Sequence, residues 1–328
     1  MVIKTQKQLV MRKVIYSLFP AILGAVFFFG WYSLIVILTS LITCYITEWL
    51  FVRKKNGAVS EAALVTAILF ALTLPPTIPL FMVVLGASFG IIFGKMAFGG
   101  FGGNIFNPAL VGRAFIYIAF PIHMTNRWIP ASDWKDFPGG LISWQVFTDS
   151  ITRATPLSAF REGADINSFL LKLIMGNISG SFENLGETMK IGGGSIGETS
   201  ALLIACGGVY LLIKKIANWK VIVSFFSFFL LFSLIFHSFY PEKTASPLIG
   251  IFSGGIIFGG FYMITDPVSM SKTNIGQWIY GAVVAFITLL IRSFSLFAGG
   301  MMFAILLGNM FNPIIDFLVT EIKKGGKK

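Results

Sequence analysis

Charge is scarce in this sequence: Asp, Glu, Lys and Arg make up 12% of its 328 residues, against about 25% in an ordinary soluble domain. That excludes a soluble globular fold of the usual kind. Cysteine occurs twice, at Cys44 and Cys206, each inside an apolar segment. Two thiols exclude a disulfide framework and any four-thiolate cluster supplied by this chain alone. Histidine is equally rare, and His123 and His237 have no ligand-spaced partners, so no metal centre is expected. The Gly-rich stretches at Gly99–Gly103 and Gly192–Gly197 follow no strand and lack Gly-Lys-[Ser/Thr], which argues against a nucleotide-phosphate loop.

Apolar residues fill 55% of the chain and the mean hydropathy is +0.82. The composition predicts an all-α integral membrane protein, since roughly 20 apolar residues cross the hydrocarbon core as a helix. Ten apolar segments lie near 14–30, 33–52, 62–74, 78–97, 108–120, 198–213, 221–240, 248–264, 277–296 and 299–319. The first follows Lys4, Lys7, Arg12 and Lys13, as a signal peptide would. No small-residue cleavage site follows and a second apolar run comes at once, so a retained helix is expected. The net charge of +11 sits at the ends of apolar runs, a pattern of membrane orientation rather than of nucleic-acid binding.

Several segments are interrupted. The third ends at Leu74-Pro75-Pro76, the fifth opens at Asn107-Pro108, and the eighth ends at Thr265-Asp266-Pro267. Proline stops a helix but suits its first turn. Short, broken segments in corresponding places point to half-helices around a buried site. The correspondence is visible, because Gly103-Asn104-Ile105-Phe106-Asn107-Pro108 recurs as Gly308-Asn309-Met310-Phe311-Asn312-Pro313. The chain therefore reads as two five-helix halves, 1–120 and 198–328, separated by a polar insert at 121–197. With a cytoplasmic N-terminus and alternating helices, Arg53, Lys54, Lys55, Lys95, Lys214, Lys215, Lys220, Lys272 and the Lys323 to Lys328 tail fall inside. The short outer connections carry little beyond Lys243 and Arg292. Both termini are thus expected in the cytoplasm, with the insert capping the bundle outside a cytoplasmic membrane.

The insert contains Asp149-Ser150-Ile151-Thr152-Arg153-Ala154-Thr155-Pro156-Leu157. Asp149, Thr152, Ala154 and Thr155 match the Asp-x-x-[Ser/Thr]-Gly-Ala-Thr signature at which flavin transferases attach FMN, and Arg153 takes the Gly position. The match implies a phosphoester on the Thr155 hydroxyl. Pro156 disfavours helix at Thr155, which leaves that backbone extended and accessible. Arg153 could offset the phosphate charge, and Asp149 suits recognition by the transferase. The plainer alternative is an ordinary turn before an amphipathic helix. Glu48, Glu198, Asp266, Asp316, Arg113 and Arg292 lie in or at the ends of apolar runs, where charges mark pathways or pairs. Arg113 and Asp266 fall near cytoplasmic ends, so snorkelling, a salt bridge and a cofactor role all stay open. Glu198 opens a helix and suits its N-terminal dipole.

Together these residues resemble the RnfD/NqrB family, membrane subunits of the Rnf complex and of sodium-translocating NADH:quinone oxidoreductase. The resemblance rests on Gly99–Leu110 with Gly112-Arg113-Ala114-Phe115, Thr152–Leu157, Gly176-Asn177-Ile178, Ser195–Leu202, Thr265–Ser269 and Asn312–Asp316. It implies a ten-helix fold similar to urea transporters and covalent FMN at Thr155. It also implies a second flavin, riboflavin, in at least some members, for which Asn104, Asn107, Arg113, Glu198 and Asp266 are the candidates. The B branch carries a long extra N-terminal region, whereas the first apolar segment here begins near residue 14. The chain therefore looks like the D branch, from Rnf.

The expected function is electron relay within a redox-driven Na+ or H+ translocase of the ferredoxin:NAD oxidoreductase type, not active alone. Its partners would be other membrane and extracytoplasmic subunits, one of them flavin-carrying, and a flavin transferase. A B-like component of the quinone reductase, a flavin-free channel or transporter and a structural scaffold are the alternatives.

Overall fold

The computed structural model describes residues 5–53, 57–125, 127–144, 155–164, 166, 169–176, 178, 180–184, 187–295 and 299–325, and 70% of it is helix. A short strand β1 (Thr5–Gln6) leads into α1 (Leu9–Phe29) and α2 (Tyr32–Val52). β1 pairs in parallel with β2 (Val59–Ser60), which enters α3 (Glu61–Leu72). α4 (Leu80–Gly94) and α5 (Pro108–Ala119) follow. α5 starts at Asn107-Pro108, where proline suits a first turn. Asn107 Oδ1 accepts from the N–H of Ala109 at 3.0 Å and Leu110 at 3.4 Å, and Pro108 fills the first turn.

The insert holds α6 (Pro121–Thr125), α7 (Pro156–Arg161), α8 (Leu170–Met175) and an antiparallel hairpin of β3 (Gly180–Asn184) and β4 (Glu187–Ile191). The bundle then resumes with α9 (Ala201–Ile213) and α10 (Trp219–Phe239). The eighth apolar segment breaks into α11 (Pro247–Phe252), α12 (Ile256–Phe258) and a π turn, Gly259–Met263. The break falls at Gly254 and Gly255, with φ of +54° and +66°, which L side chains rarely adopt. α13 (Asn274–Phe294) and α14 (Met301–Gly325) complete the chain.

Among the described residues, six helices are long and apolar enough to cross a membrane: α1, α2, α4 with its extension to Phe98, α10, α13 and α14. α3, α5 and α9 are shorter apolar helices. The chain is a multi-pass membrane protein. Helix pairing recurs along it. α2 lies against α4 and α4 against α5, as α10 lies against α13 and α13 against α14. The two sets meet where α1 packs on α9 and α5 on α14.

The repeated hexapeptide does not fold alike in its two copies. The first forms a loop and helix cap ahead of α5; the second lies within α14, with Pro313 inside the helix. The cause lies upstream. Gly99, Gly100 and Gly102 hold positive φ and cannot continue a helix, whereas Met301 to Leu307 are apolar helix formers that carry α14 through.

The insert covers one end of the bundle. Phe27, Phe28 and Phe29 of α1 pack with Ile129 and Ala131, and Ala159, Leu173 and Ile178 pack with Ala245 and Ile249. At the other end, β1 meets β2, and Lys220 Nζ donates to Asn274 Oδ1 at 2.7 Å. Asp316 of α14 staples this end together. Its carboxylate accepts from Ser271 Oγ, Thr273 Oγ1 and the backbone N–H of Lys272 and Thr273, at 2.7 to 3.0 Å.

One cation of the orientation count must be reassigned. Lys95 is not an interfacial loop lysine. It is 1% exposed, and its Nζ lies 2.6 Å from both Glu48 Oε2 and Ser60 Oγ. Glu48, 2% exposed, also accepts from the Ser60 N–H at 3.0 Å. The pair ties α2 and β2 to the end of α4 in a setting where neither charge is tolerable alone. Lys54, Lys55 and the last residues of the tail lie outside the described residues. Lys95→Met, by leaving Glu48 buried without its counter-ion, should cost about 3–5 kcal/mol. Thermal unfolding in detergent should show the single variant well below the wild type, and Lys95→Met with Glu48→Leu should regain much of the loss.

Candidate functional site

A cavity of about 490 Å³ opens beneath the insert, within the range of about 300–1,000 Å³ usual for small-molecule sites. It brings together pieces far apart in the chain: Arg113 and Tyr117 of α5, Thr155 to Glu162 around α7, Ser195 and Glu198, the Gly254-Gly255 break, and Gly299 to Phe303 at the start of α14. Its apolar wall includes Met124, Trp128, Met263, Met301 and Met302.

Thr155 enters through its position as N-cap of α7. Its backbone is extended, at φ −69° and ψ 157°, and Pro156 takes the first helical position. The Thr155 hydroxyl lies 2.9 Å from Ser158 Oγ and accepts from the Ser158 N–H at 3.3 Å, while Ser158 Oγ donates to the Thr155 carbonyl at 2.9 Å. A hydroxyl on the cavity wall is thus held in one orientation. Arg161, at the end of α7, lines the same cavity and donates to the Arg292 carbonyl. Burial lowers the pKa of its guanidinium, a desolvation that an anion alongside would offset.

Arg113 Nη1 meets Glu198 Oε1 at 3.0 Å, across the cavity's inner wall. Arg113 Nε is buried and makes no hydrogen bond. Gly255 lies close against the carboxylate: a Cβ there would lie 2.7 Å from Glu198 Oε1, so the side chain would have to shift. Two sets of helix-end carbonyls border this wall. Those of Leu72 and Leu74 accept from Gly197 N–H at 2.7 Å and Ile196 N–H at 2.9 Å. Those of Gly250, Ser253 and Gly254, and of Gly299 opposite, accept from the buried Arg292 guanidinium. Arg292, an outer-loop cation by sequence position, is instead the cap of the broken helix α11.

A second, smaller cavity of about 70 Å³ lies towards the opposite end. Asn104, Asn107, Asp266, Lys95, Thr66 and Tyr262 line it. Asp266 accepts from the Val268 N–H at 3.0 Å and from Ser269 Oγ at 3.1 Å, so its carboxylate already organises its own turn. Here the two copies of the hexapeptide touch. Asn309, with its amide turned to suit its neighbours, accepts from the Asn107 N–H at 3.1 Å and donates to the Ile305 carbonyl at 3.2 Å.

Sequence comparison supplies the family. The family model described as "NQR2, RnfD, RnfE family" matches residues 3–325. The chain belongs to the NQR2, RnfD, RnfE family. Among its relatives is the D subunit of the ion-translocating oxidoreductase complex from Aliivibrio salmonicida, 31% identical over 99% of this chain and 96% of the relative. The corresponding D subunit from Aeromonas hydrophila is 34% identical with the same coverage. The B subunit of the Na(+)-translocating NADH-quinone reductase from Pseudomonas paraeruginosa is 37% identical over 88% of this chain and 67% of the relative.

The candidates that the family resemblance brought together fall into two groups. Thr155, Arg113 and Glu198 share the larger cavity; Asn104, Asn107 and Asp266 share the smaller. Asp149, Thr152, Arg153 and Ala154 lie outside the described residues. Arg113 does not snorkel to an interface, because its partner Glu198 draws it into the wall. Glu198 does not serve the α9 dipole directly: Ser200 caps that helix, and Glu198 turns away to Arg113. Arg161, Ser158 and Tyr117 belong to the site without any motif of their own to mark them. Pro156 signals α7, and a helix begun there carries Ser158 and Arg161 in its first two turns, so that signal was present.

Arg292→Met would leave the carbonyls of Ser253 and Gly254 without their donor, and those of Gly250 and Gly299 with only Ser253 Oγ at 3.4 Å and the Met301 N–H at 2.7 Å. A loss of about 3 kcal/mol is expected, read as a fall in Tm in detergent, with Arg292→Lys intermediate because an ammonium cannot span the same fork.

Proposed function

We propose that this chain is the membrane subunit of an ion-translocating electron-transport complex, and that it carries FMN as a phosphoester on Thr155. Family membership and the names of its relatives, subunits of ion-translocating oxidoreductases, support the complex. The observation that carries the cofactor assignment is the Thr155 hydroxyl on the wall of a cavity shared with Arg161 and the Arg113–Glu198 pair.

The residues present fit such a group. The volume suits a flavin, and Met124, Met301, Met302, Phe303 and Tyr117 offer apolar side chains to a ring. Arg161 supplies positive charge on the helix that Thr155 caps, and Arg113 Nε is a buried donor still unused. The redox chemistry belongs to the cofactor. The chain's part is to hold the hydroxyl, through Ser158, in one orientation, to screen the cavity from water with the insert, and to balance charge through Arg113, Glu198 and Arg161.

The side of the membrane follows from charge. Lys7, Lys214, Lys215, Lys220 and Lys272 are on the end opposite the insert, which supports a cytoplasmic side for that end and an outer side for the Thr155 cavity. Electrons would then enter from a flavin-carrying partner on the outer side and leave inward. The ferredoxin:NAD type of complex accords with the near full-length match to the D-type relatives. A flavin-free transporter is the rival reading, favoured by the broken helix at Gly254-Gly255.

Co-expression with a flavin transferase separates them. The denatured wild-type band should fluoresce under ultraviolet light and its Thr155 peptide should gain the mass of FMN. Thr155→Ala should lose both signals completely, and Thr155→Ser should keep part of them. A wild-type protein bare at position 155 in a competent host would favour the transporter.

A further inference from the structure

The insert carries an apolar surface that the rest of the chain leaves largely uncovered. Between Asp133 and the end of the described stretch at Trp144, Phe137 is 76% exposed, Ile142 75% and Trp144 65%, with Trp134 and Leu141 also exposed. Single exposed apolar residues are ordinary, but five within eleven consecutive residues form a patch, and patches of this kind mark an interaction.

The position of the patch identifies what covers it. Its backbone is bound to the turn that joins the first two membrane helices: Trp31 N–H donates to the Ser143 carbonyl at 3.2 Å and Tyr32 N–H to the Trp144 carbonyl at 2.9 Å. Trp31 Nε1 donates to the Leu141 carbonyl at 2.8 Å. Gly140 fits so closely against this turn that a Cβ would lie 2.6 Å from the Val26 carbonyl and 2.7 Å from Gly30 N. Trp134 stacks on Phe27 at 4.6 Å between ring centroids. α1 ends at Phe29 and α2 begins at Tyr32, so the loop is held at the level where the apolar spans stop. That is the boundary between acyl chains and headgroups, where tryptophan and other aromatic side chains partition favourably because they join an apolar ring to a polar edge.

We propose that residues 134–144 form a collar that lies in the outer bilayer interface, with Phe137, Ile142 and Trp144 inserted at headgroup level, and that its occupant is lipid. The patch sits at the end of the same two helices, α1 and α2, on which Phe19, Leu23, Leu38 and Ile42 are also exposed. The collar thereby fixes the depth of the insert from which the Thr155 segment continues. The inference does not depend on the flavin assignment.

The test uses the full chain carrying Cys206→Ser, which removes the exposed cysteine and leaves Cys44 buried. Ile142→Cys is labelled with an environment-sensitive dye and reconstituted into vesicles of phosphatidylethanolamine and phosphatidylglycerol. Glu242→Cys, on an exposed stretch of the 240–246 connection, is the water-facing control. Position 142 should emit at shorter wavelength than 242. Iodide quenching there should be several-fold weaker, and spin-labelled lipid should quench more strongly from a shallow than from a deep acyl position. Equal iodide quenching at 142 and 242 would overturn the proposal. So would protection at 142 that arises only in the assembled complex, since the occupant would then be a partner protein.

Discussion

The constraint on which this structure depends is the demand of backbone polar groups for partners where no water can reach them. A helix that stops inside a membrane bundle leaves its last carbonyls without donors, as α3 and α11 do here. The carbonyls at the end of α3 are met by backbone N–H groups of Ile196 and Gly197, and those at the end of α11 by the fork of Arg292. Each solution brings a distant segment to the break. The first draws in the turn that carries Glu198; the second pins α13 against the Gly254-Gly255 turn. The larger cavity lies where these two repairs meet, so its walls are a product of satisfying the broken helices.

Much of this was legible in the sequence, and the reasons are particular. Proline and asparagine punctuate sharply: Pro75-Pro76 ended α3, Asn107-Pro108 opened α5, and Pro156 set Thr155 in an extended conformation at the head of α7. Those are local effects, decided by one or two residues. The unlike conformations of the two hexapeptide copies were not legible from the hexapeptide alone. Nearly identical residues follow different upstream context, flexible glycine in one case and a long apolar helix in the other.

Charge was the least legible property. Lys95 and Arg292 stand at the ends of apolar runs and look like interfacial residues in sequence, yet both are buried. What decides is a partner about forty or fifty positions away: Glu48 for Lys95, and the carbonyls of α11 for Arg292. Periodicity and spacing carry no information about such pairs. The same holds for Arg113 and Glu198, which are 85 residues apart and meet beside Gly255. A chain with so few charges places most of its buried ones in pairs, since an unpaired charge in this medium is too costly to keep.

The larger cavity also bears on how the molecule holds together. Its wall is drawn from α5, from the insert, from the turn before α9, from the α11–α12 break and from the start of α14. Apart from the Arg113–Glu198 and Arg161–Arg292 contacts, much of what lies across it is apolar surface and thioether side chains, which hold no fixed geometry of their own. An occupant that touched all five would stabilise the arrangement in which they converge by its binding free energy and would do nothing for arrangements in which they part. The insert contributes Thr155 to this wall from α7, whose Ala159 belongs to the same buried cluster as Ile249 of α11. Arg161, on the same helix, donates to the Arg292 carbonyl, so an occupant of the cavity would favour the arrangement in which α7 meets the helix break that Arg292 caps.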